Sequence, residues 1–272
     1  MEIDALVTDL DGTFWATDMS VHPATLDAVA QLDAAGVPLL VATGRRAQGT
    51  LAGLVPAGLG DRPAIMMNGA LARDRVDGPS FLTEAMATDD VESVIAAFAD
   101  VGLEPLAYVD HPNEDLVAGP NASAGADYLG RARGVRHVAD LLDTLRSEPV
   151  IGFGAFGFAK DLLQPLADQI NGAGWANALL GESLIEGGWG IMLQASGIDK
   201  QTGIEAWCAR KGIDPSRLAV VGDGGNDVLM LEHARIAIVP ANAPEEIRAL
   251  ASVEIAPNEE GGWKDISGIL GL

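Results

Sequence analysis

DALVTDLDGT, residues 4–13, is apolar for most of its length and then ends on two acids one residue apart, Asp9 and Asp11, followed at once by Gly12 and Thr13. In an extended segment, side chains at i and i+2 project to the same side, and Leu10 between them points to the other. Both carboxylates then share one small volume, where like charges raise one another's pKa unless a cation neutralises them. Hard divalent cations such as magnesium choose oxygen ligands of this kind. The pair therefore asks for a metal, and it offers an asymmetry in which one carboxylate attacks while its neighbour carries a proton. Gly12 lets the chain turn sharply off the strand. Standing alone, the same letters also fit a turn closed by local side-chain hydrogen bonds.

Outward from that strand, apolar runs of strand length alternate with amphipathic stretches of helix length, the pattern of parallel strands joined by helical crossovers. ATLDAVAQLDAAG predicts a helix introduced by Pro23 and stopped by Gly36; VPLLVATG is a second strand, GRRAQGTLAGLV a short helix and PAIMMNGA a third strand. Asp9 and Asp11, Thr43 and Asn68 all fall at the carboxyl ends of these strands, where ligands bind in doubly wound sheets. The expected fold class is α/β, a doubly wound parallel-sheet core with an inserted, smaller α/β cap. Residues 1–80 are read as the first part of the core, 81–187 as the cap and 188–272 as the second part of the core. In that last part WGIMLQ resumes the core pattern, followed by a helix from about Gln201 to Lys211, the strand RLAVVGD, the helix NDVLMLEHA and a last strand, RIAIVPA.

The formal charge of -22, from 39 acids against 17 bases, repels nucleic acid and anionic lipid and leaves a solvated acidic surface. Neither nucleic acid nor a membrane is an expected partner. The opening MEIDALVTDLDG has acids where a signal peptide is basic, and no uncharged apolar stretch approaches the roughly 18 residues of a membrane span, so a soluble, cytoplasmic protein is expected. The single cysteine, Cys208, excludes an intramolecular disulfide and reads as a buried thiol. GFGAFG at 152–157 matches the dinucleotide fingerprint by letter, but it lies inside a strand-like run and is read as close sheet packing or approach to a ligand. NAS at 121–123 is read as a chance tripeptide rather than a glycosylation acceptor.

Three further stretches carry chemistry. VATGR puts the Thr43 hydroxyl and the Gly44 N–H where a helix begins, a place that holds phosphate oxygens, although an ordinary N-cap threonine fits as well. GIDKQTGIEAW offers Lys200, one of only four lysines, before a helix whose capping box is read as Thr202 and Glu205. That lysine can neutralise a nucleophile and a phosphate together, or be an ordinary surface lysine. VVGDGGNDVLML follows an apolar strand with Asp223, a two-glycine loop, Asn226 and Asp227; Asp223 can complete an oxygen shell, with Asn226 and Asp227 orienting that shell or Lys200 from behind.

In this order and at these strand ends, DLDGT, TGR, NGA, the lone lysine and GDGGNDVLML resemble the haloacid dehalogenase superfamily of phosphohydrolases, in its Cof-like class with an α/β cap. The resemblance covers nearly the whole chain. It implies that Asp9 attacks phosphorus to form an aspartyl phosphate, and that Asp11 protonates the leaving oxygen and then activates water. It implies that Thr43 and Lys200 hold the phosphoryl group, that Asp9, the backbone carbonyl of Asp11 and Asp223 bind Mg²⁺, and that Asp227 supports them. Gly44, Arg45, Asn68, Gly69 and Asn226 are the expected substrate contacts. The chain departs from the pattern at Phe14-Trp15 after DGT, at DKQTG after the lysine position, and at IVPANAPEEIR, which keeps Asn242 but alters the loop before it. The expected activity is Mg²⁺-dependent hydrolysis of a small phosphorylated metabolite, a sugar phosphate first, with the cap choosing the substrate through Asp110, His111, Asn113 or Trp189. A phosphomutase would share every core residue, and a noncatalytic sugar-phosphate-binding regulator would share the fold.

Overall fold

Ala5–Thr8, buried at every position, forms strand β1 inside an eight-stranded sheet. The computed structural model describes residues 3–124, 126–183 and 187–272. In chain order the elements begin with β1, α1 (Pro23–Ala35), β2 (Leu39–Ala42), α2 (Ala47–Leu54), β3 (Ala64–Met66), β4 (Leu71–Arg73) and β5 (Ser80–Thr83). Next come α3 (Thr88–Asp100), β6 (Leu106–Val109), β7 (Leu116–Ala118), α4 (Ala126–Arg131), β8 (Val135–His137), α5 (Leu141–Leu145), β9 (Val150–Phe158), α6 (Lys160–Ala173), β10 (Asn177–Glu182) and β11 (Trp189–Gln194). The chain ends with α7 (Lys200–Lys211), β12 (Leu218–Val221), α8 (Val228–His233), β13 (Ile236–Pro240), α9 (Glu245–Arg248), β14 (Val253–Ile255) and α10 (Ile266–Leu270). Two units result: Met1–Arg45, Thr50–Leu82 and Asp199–Leu272 form the first, Arg46–Gly49 and Thr83–Ile198 the second.

The first unit is built on a doubly wound sheet in the order β14-β13-β12-β1-β2-β3-β4-β5, parallel from β14 through β3 and antiparallel between β3 and β4. β1 pairs in parallel with β2 on one side and β12 on the other, Thr8 lying opposite Val41 and Val221. The chain steps outward from β1 through β2 and β3, and later outward in the other direction through β12, β13 and β14, so the strand order reverses at β1. A crevice opens beyond the carboxyl ends of the strands at such a reversal. Ala5 and Val7 point into a cluster with Leu40, Val220, Val239, Ile204, Trp207 and Met230, which seats α7 and α8 on that face; Leu6 and Leu39 face the other way. α1 is bounded as its sequence predicts: the His22 imidazole accepts from the Ala24 N–H at 3.1 Å, Pro23 starts the helix, and Gly36 takes the left-handed cap. Cys208 is buried in the same cluster, and burial, with Glu205 and Asp214 nearby, pushes its thiol up to about 11. No helix among the described residues is long and apolar enough to cross a membrane.

The second unit carries a six-stranded sheet in the order β10-β11-β9-β6-β7-β8. Val94 and Phe98 of α3, Leu141 of α5 and Leu163, Leu166 and Ile170 of α6 pack on one face against Ala107, Val117, Phe153, Ala155 and Ile191. WGIMLQ belongs here, not to the first sheet: Ile191 lies opposite Leu180 of β10 and Ala155 of β9, so the chain returns to the first unit at Asp199 rather than 188. Its strand character was readable from composition, but its partners are set by pairing across the fold. RIAIVPA is not the last strand either, since Val253–Ile255 adds parallel to it. HPNEDLVAGPNASAG, residues 111–125, is polar in composition and predicts no strand, yet it contains β7, and β4 and β5 extend the first sheet beyond β3.

GFGAFG lies within β9, with Phe153 and Ala155 on the helix-covered face. A Cβ on Gly154 would stand 2.6 Å from the Tyr108 hydroxyl, and one on Gly190 2.6 Å from the Phe156 ring. The Phe156 ring in turn stacks on Tyr128 at 4.8 Å between centroids. The glycines make room for aromatic side chains on the sheet.

α7 is pressed against β3 and the turn after it. A Cβ on Gly203 would come within 2.5 Å of Ile65 Cγ2 and 3.1 Å of Gly69 Cα. Alanine there is favoured in a helix interior by about 1 kcal/mol, yet overpacking of this kind costs about 1–3 kcal/mol. Gly203→Ala is therefore expected to be neutral to destabilising by up to about 2 kcal/mol in urea unfolding, where an exposed glycine would show stabilisation.

Candidate active site

β1 ends at Thr8, and the Asp9 N–H still pairs with the Val221 carbonyl at 2.9 Å, so Asp9 is delivered at the strand's carboxyl end beside the end of β12. Lys200, the first residue of α7, is 1% exposed; its ammonium donates to Asp9 Oδ1 at 2.5 Å and to Asp227 Oδ1 at 2.6 Å. The other oxygen of Asp227 accepts the N–H groups of Asp223 at 3.0 Å and Gly224 at 2.8 Å, which folds the two-glycine loop around that carboxylate. Asp223 accepts from the Thr13 hydroxyl at 2.5 Å and from Asn242 Nδ2 at 3.4 Å, and Asn242 also donates to the Gly12 carbonyl at 2.9 Å. Gly12 is obligatory: its φ is 77°, and a Cβ would stand 2.3 Å from Asp223 Oδ2.

Asp9 and Asp11 diverge in their surroundings. Asp11 is one-third exposed and held by the Arg45 fork, Nε to Oδ2 and Nη2 to Oδ1, each at 2.6 Å, and by Trp15 Nε1 at 3.0 Å. Burial pushes Asp11 up, but the hydrogen bonds and charge of Arg45, with the Trp15 N–H, outweigh it and hold the carboxyl below its ordinary value. Burial raises Asp9 well above the carboxylate range; Lys200 opposes this, while Asp227, Asp11 and Asp223 add to it. Burial also works against the Lys200 charge, but Asp227 and Asp9 outweigh it and keep the ammonium protonated.

Carboxylate oxygens of Asp9, Asp223 and Asp227 lie within 4.8 Å of one another. With Asp11 they make four carboxylates against two cations, Lys200 and Arg45, so the fully ionised cluster lacks two positive charges. All-oxygen donors and a deficit of two suit a hard divalent cation. Both Asp227 oxygens already accept from the protein, whereas Asp9 Oδ2 accepts from no group among the described residues. Asp9 Oδ2 is thus the open oxygen of the three acids, while Asp223 Oδ2 has only the long 3.4 Å contact from Asn242 and could also turn to a cation.

The expected phosphate-side residues gather at the ends of β2 and β3. α2 starts only at Ala47, so Thr43 is not its N-cap; the Thr43 hydroxyl, 1% exposed, accepts from the Arg45 N–H at 3.1 Å and keeps its own hydrogen to donate. Asn68 has a left-handed backbone, φ 50°, next to Met67 at 51°, a strained pair of the kind found at functional sites. Its amide oxygen accepts from Asn226 Nδ2 at 2.9 Å, and Gly44 faces both side chains. Gly69 follows in the same turn. The α7 capping box pairs Asp199 with Thr202 rather than Thr202 with Glu205, because the helix begins one residue after Asp199. Thr13 and Trp15 were not foreseen as partners of the acids; the only hint was their position inside and just after DLDGT.

Of the four expected substrate contacts of the second unit, Asp110, His111 and Trp189 have side-chain partners within it, and Asn113 takes part through its backbone N–H. Asp110 accepts from the Thr83 hydroxyl at 2.8 Å, and His111 Nδ1 accepts from the N–H groups of Asn113 and Glu114 at 3.3 and 2.9 Å. Trp189 packs on the helix-covered side with the Lys160 ammonium 4.2 Å from its ring.

A family model for haloacid dehalogenase-like hydrolases matches residues 6–265. The chain belongs to that family. It is 26% identical over 264 residues to a phosphoglycolate phosphatase of Methanopyrus kandleri, covering 94% of this chain and 92% of the relative. It is 24% identical over 268 residues to a pyridoxal phosphate phosphatase of Escherichia coli, covering 95% of each. Among solved structures, a HAD subclass IIB sugar phosphatase superposes with a TM-score of 0.78 at 23% identity, covering 98% of this chain and 99% of that one.

Burial raises Asp223 to about 6, opposed by the Thr13 hydroxyl and helped by Asp227. A carboxyl raised in the folded state binds its proton more tightly there than in the unfolded chain, so its contribution to stability falls as pH rises from about 4 through about 6. The stability of the metal-free protein relative to Asp223→Asn is expected to decline over that window. The rise in unfolding temperature on adding MgCl₂ should be small at pH 5 and larger at pH 7.5, because the cation displaces the proton.

Proposed function

We propose that this hydrolase is a Mg²⁺-dependent phosphatase of a small phosphorylated metabolite, with sugar phosphates the first class to test. The observation that carries the reading is the state of Asp9: one oxygen fixed on the buried Lys200 ammonium, the other without a donor, with Asp11 two residues away. Asp9 attacks phosphorus, the ester P–O bond breaks, and Asp11 gives a proton to the leaving oxygen. Asp11 then takes a proton from water, which attacks the aspartyl phosphate and frees Asp9. The Thr43 hydroxyl and the Gly44 N–H hold phosphoryl oxygens, Lys200 balances the charge of Asp9, and the strained turn with Asn68 and Gly69, tied to Asn226, lines the same end of the sheet. The incoming phosphoryl group draws Arg45 off Asp11, since a guanidinium fork suits phosphate as well as carboxylate. Asp9, the backbone carbonyl of Asp11 and Asp223 would hold Mg²⁺, with Asp227 behind them; when bound it neutralises charge on the phosphoryl oxygens.

The phosphatase names of the two curated relatives, each matched over nearly its full length, support a phosphoric monoester as substrate. A phosphate-release screen with Mg²⁺ over sugar phosphates, phosphoglycolate, pyridoxal phosphate and nucleotides tests the proposal. Turnover is expected for at least one member, and Asp9→Asn should lower it by about a thousandfold or more, as loss of a nucleophile does. Undiminished activity in Asp9→Asn would remove Asp9 as nucleophile, and binding without turnover would favour a regulator.

A further inference from the structure

Phe14 and Trp15 are the part of the opening motif to which the proposed reaction gives no task. Trp15 is completely buried, and each side of it is engaged within the first unit. Its indole Nε1–H donates to Asp11 Oδ1 at 3.0 Å, and the Arg45 guanidinium lies over its ring at 5.2 Å. Its far edge fills the space left by Gly53, where a Cβ would stand 2.4 Å from the ring. Its carbonyl accepts from Asn258 Nδ2 at 2.6 Å, and the Thr13 carbonyl accepts from Trp263 Nε1 at 3.0 Å. The Phe14 and Trp263 rings meet edge to face, 5.0 Å between centroids. Residues 13–15 are thus clamped by a segment some 250 residues later in the chain.

The two donors on Asp11 differ in kind. Arg45 is 28% exposed and exchangeable, and an arriving phosphoryl dianion competes for its fork. Trp15 is walled in and stays. A carboxylic acid that accepts a hydrogen bond at one oxygen carries its proton on the other. With Trp15 on Oδ1, the transferable proton belongs on Oδ2, the oxygen that Arg45 Nε vacates.

We propose that Trp15 is a positioning residue of this reaction: its indole N–H, braced by Asn258 and Trp263, pins Oδ1 of Asp11 so that Oδ2 delivers the proton to the leaving oxygen. This rests on the phosphatase reading and adds a residue to it. As the bond from Asp9 to phosphorus forms, the ester P–O bond breaks with its electron pair on the leaving oxygen, and the Asp11 Oδ2–H bond breaks as the new O–H forms.

Leaving-group dependence separates this role from a merely structural one. p-Nitrophenyl phosphate expels a stabilised phenolate that needs little protonation, whereas phenyl phosphate expels a more basic oxygen and needs the acid. Trp15→Phe keeps a ring and removes the N–H. Its kcat/KM for phenyl phosphate should fall about tenfold or more beyond its loss on p-nitrophenyl phosphate, part of the hundredfold or greater effect of a placed general acid. Asn258→Ala, which loosens the brace and leaves the indole, should show the same preference more weakly. Both esters are compared within one variant, so a smaller folded fraction cancels in the ratio. In ¹H–¹⁵N spectra, the indole resonance lost in Trp15→Phe should shift in Asp11→Ala. Equal losses on the two esters, or an unmoved indole resonance, overturn the inference and leave the phosphatase reading standing. A native protein that hydrolyses no phosphoester overturns both.

Discussion

One buried ammonium ties the first unit's two halves together at the site. Lys200 and Asp9 are 191 residues apart in the chain, and the whole second unit lies between them, yet their charged atoms meet at 2.5 Å with almost no exposure. The lysine also sits at the start of α7, where the helix's own partial positive charge disfavours a cation. Only the two carboxylates make that position tenable. Removing one partner of such a buried pair costs about 3–5 kcal/mol because the other charge is left without compensation. The local structure is arranged around this need. The Asp199–Thr202 capping box fixes where α7 begins, Gly203 lets the helix lie close on β3, and Asp227 reaches Lys200 with one oxygen while closing the 223–224 loop with the other.

That arrangement is not optimised for stability. Four acids share two cations, and burial pushes Asp9 and Asp223 towards the neutral form. A sequence selected for folding alone would replace such a cluster by apolar residues, since buried ion networks rarely outdo well-packed hydrocarbon. Local rules fail where function requires it. The left-handed Met67 and Asn68 in the turn after β3 make the same point in the backbone.

The acids of DLDGT and GDGGNDVLML, Lys200 and the strands that carry them were legible because their signals are local: an apolar run, a carboxylate pair at spacing two, a glycine turn. β4, β7, β8 and β14 are three residues long and stand among polar or glycine residues, without the longer apolar run that made β3, equally short, readable. The opposite failure occurred at Trp189–Gln194, where the strand was visible and its sheet was not, because pairing with β9 and β10 is decided across the fold. Trp15 belongs to this second kind. Two aromatics after DGT stood out, but their meaning lies in Gly53, Asn258 and Trp263, none of them near in sequence.

Asp9 and Asp11 began as equivalent letters at the end of one strand, and the fold makes them unequal by giving Asp9 the last sheet hydrogen bond and leaving Asp11 beyond it. Asp9 still donates a sheet hydrogen bond from its N–H to the Val221 carbonyl and turns its side chain to the buried ammonium. Asp11 lies past the last ladder residue, where the Leu10 carbonyl gathers the N–H groups of Thr13, Phe14 and Trp15 into a tight loop. That loop carries the indole back to Asp11 Oδ1, while Arg45, partly exposed, takes Oδ2 through Nε. In the proposed reaction Asp9 would be the nucleophile, which needs a fixed oxygen, and Asp11 the proton shuttle, which needs a changeable one. The difference between the two acids thus follows from where β1 stops, a property set by Gly12 and the turn it allows rather than by the carboxylates themselves.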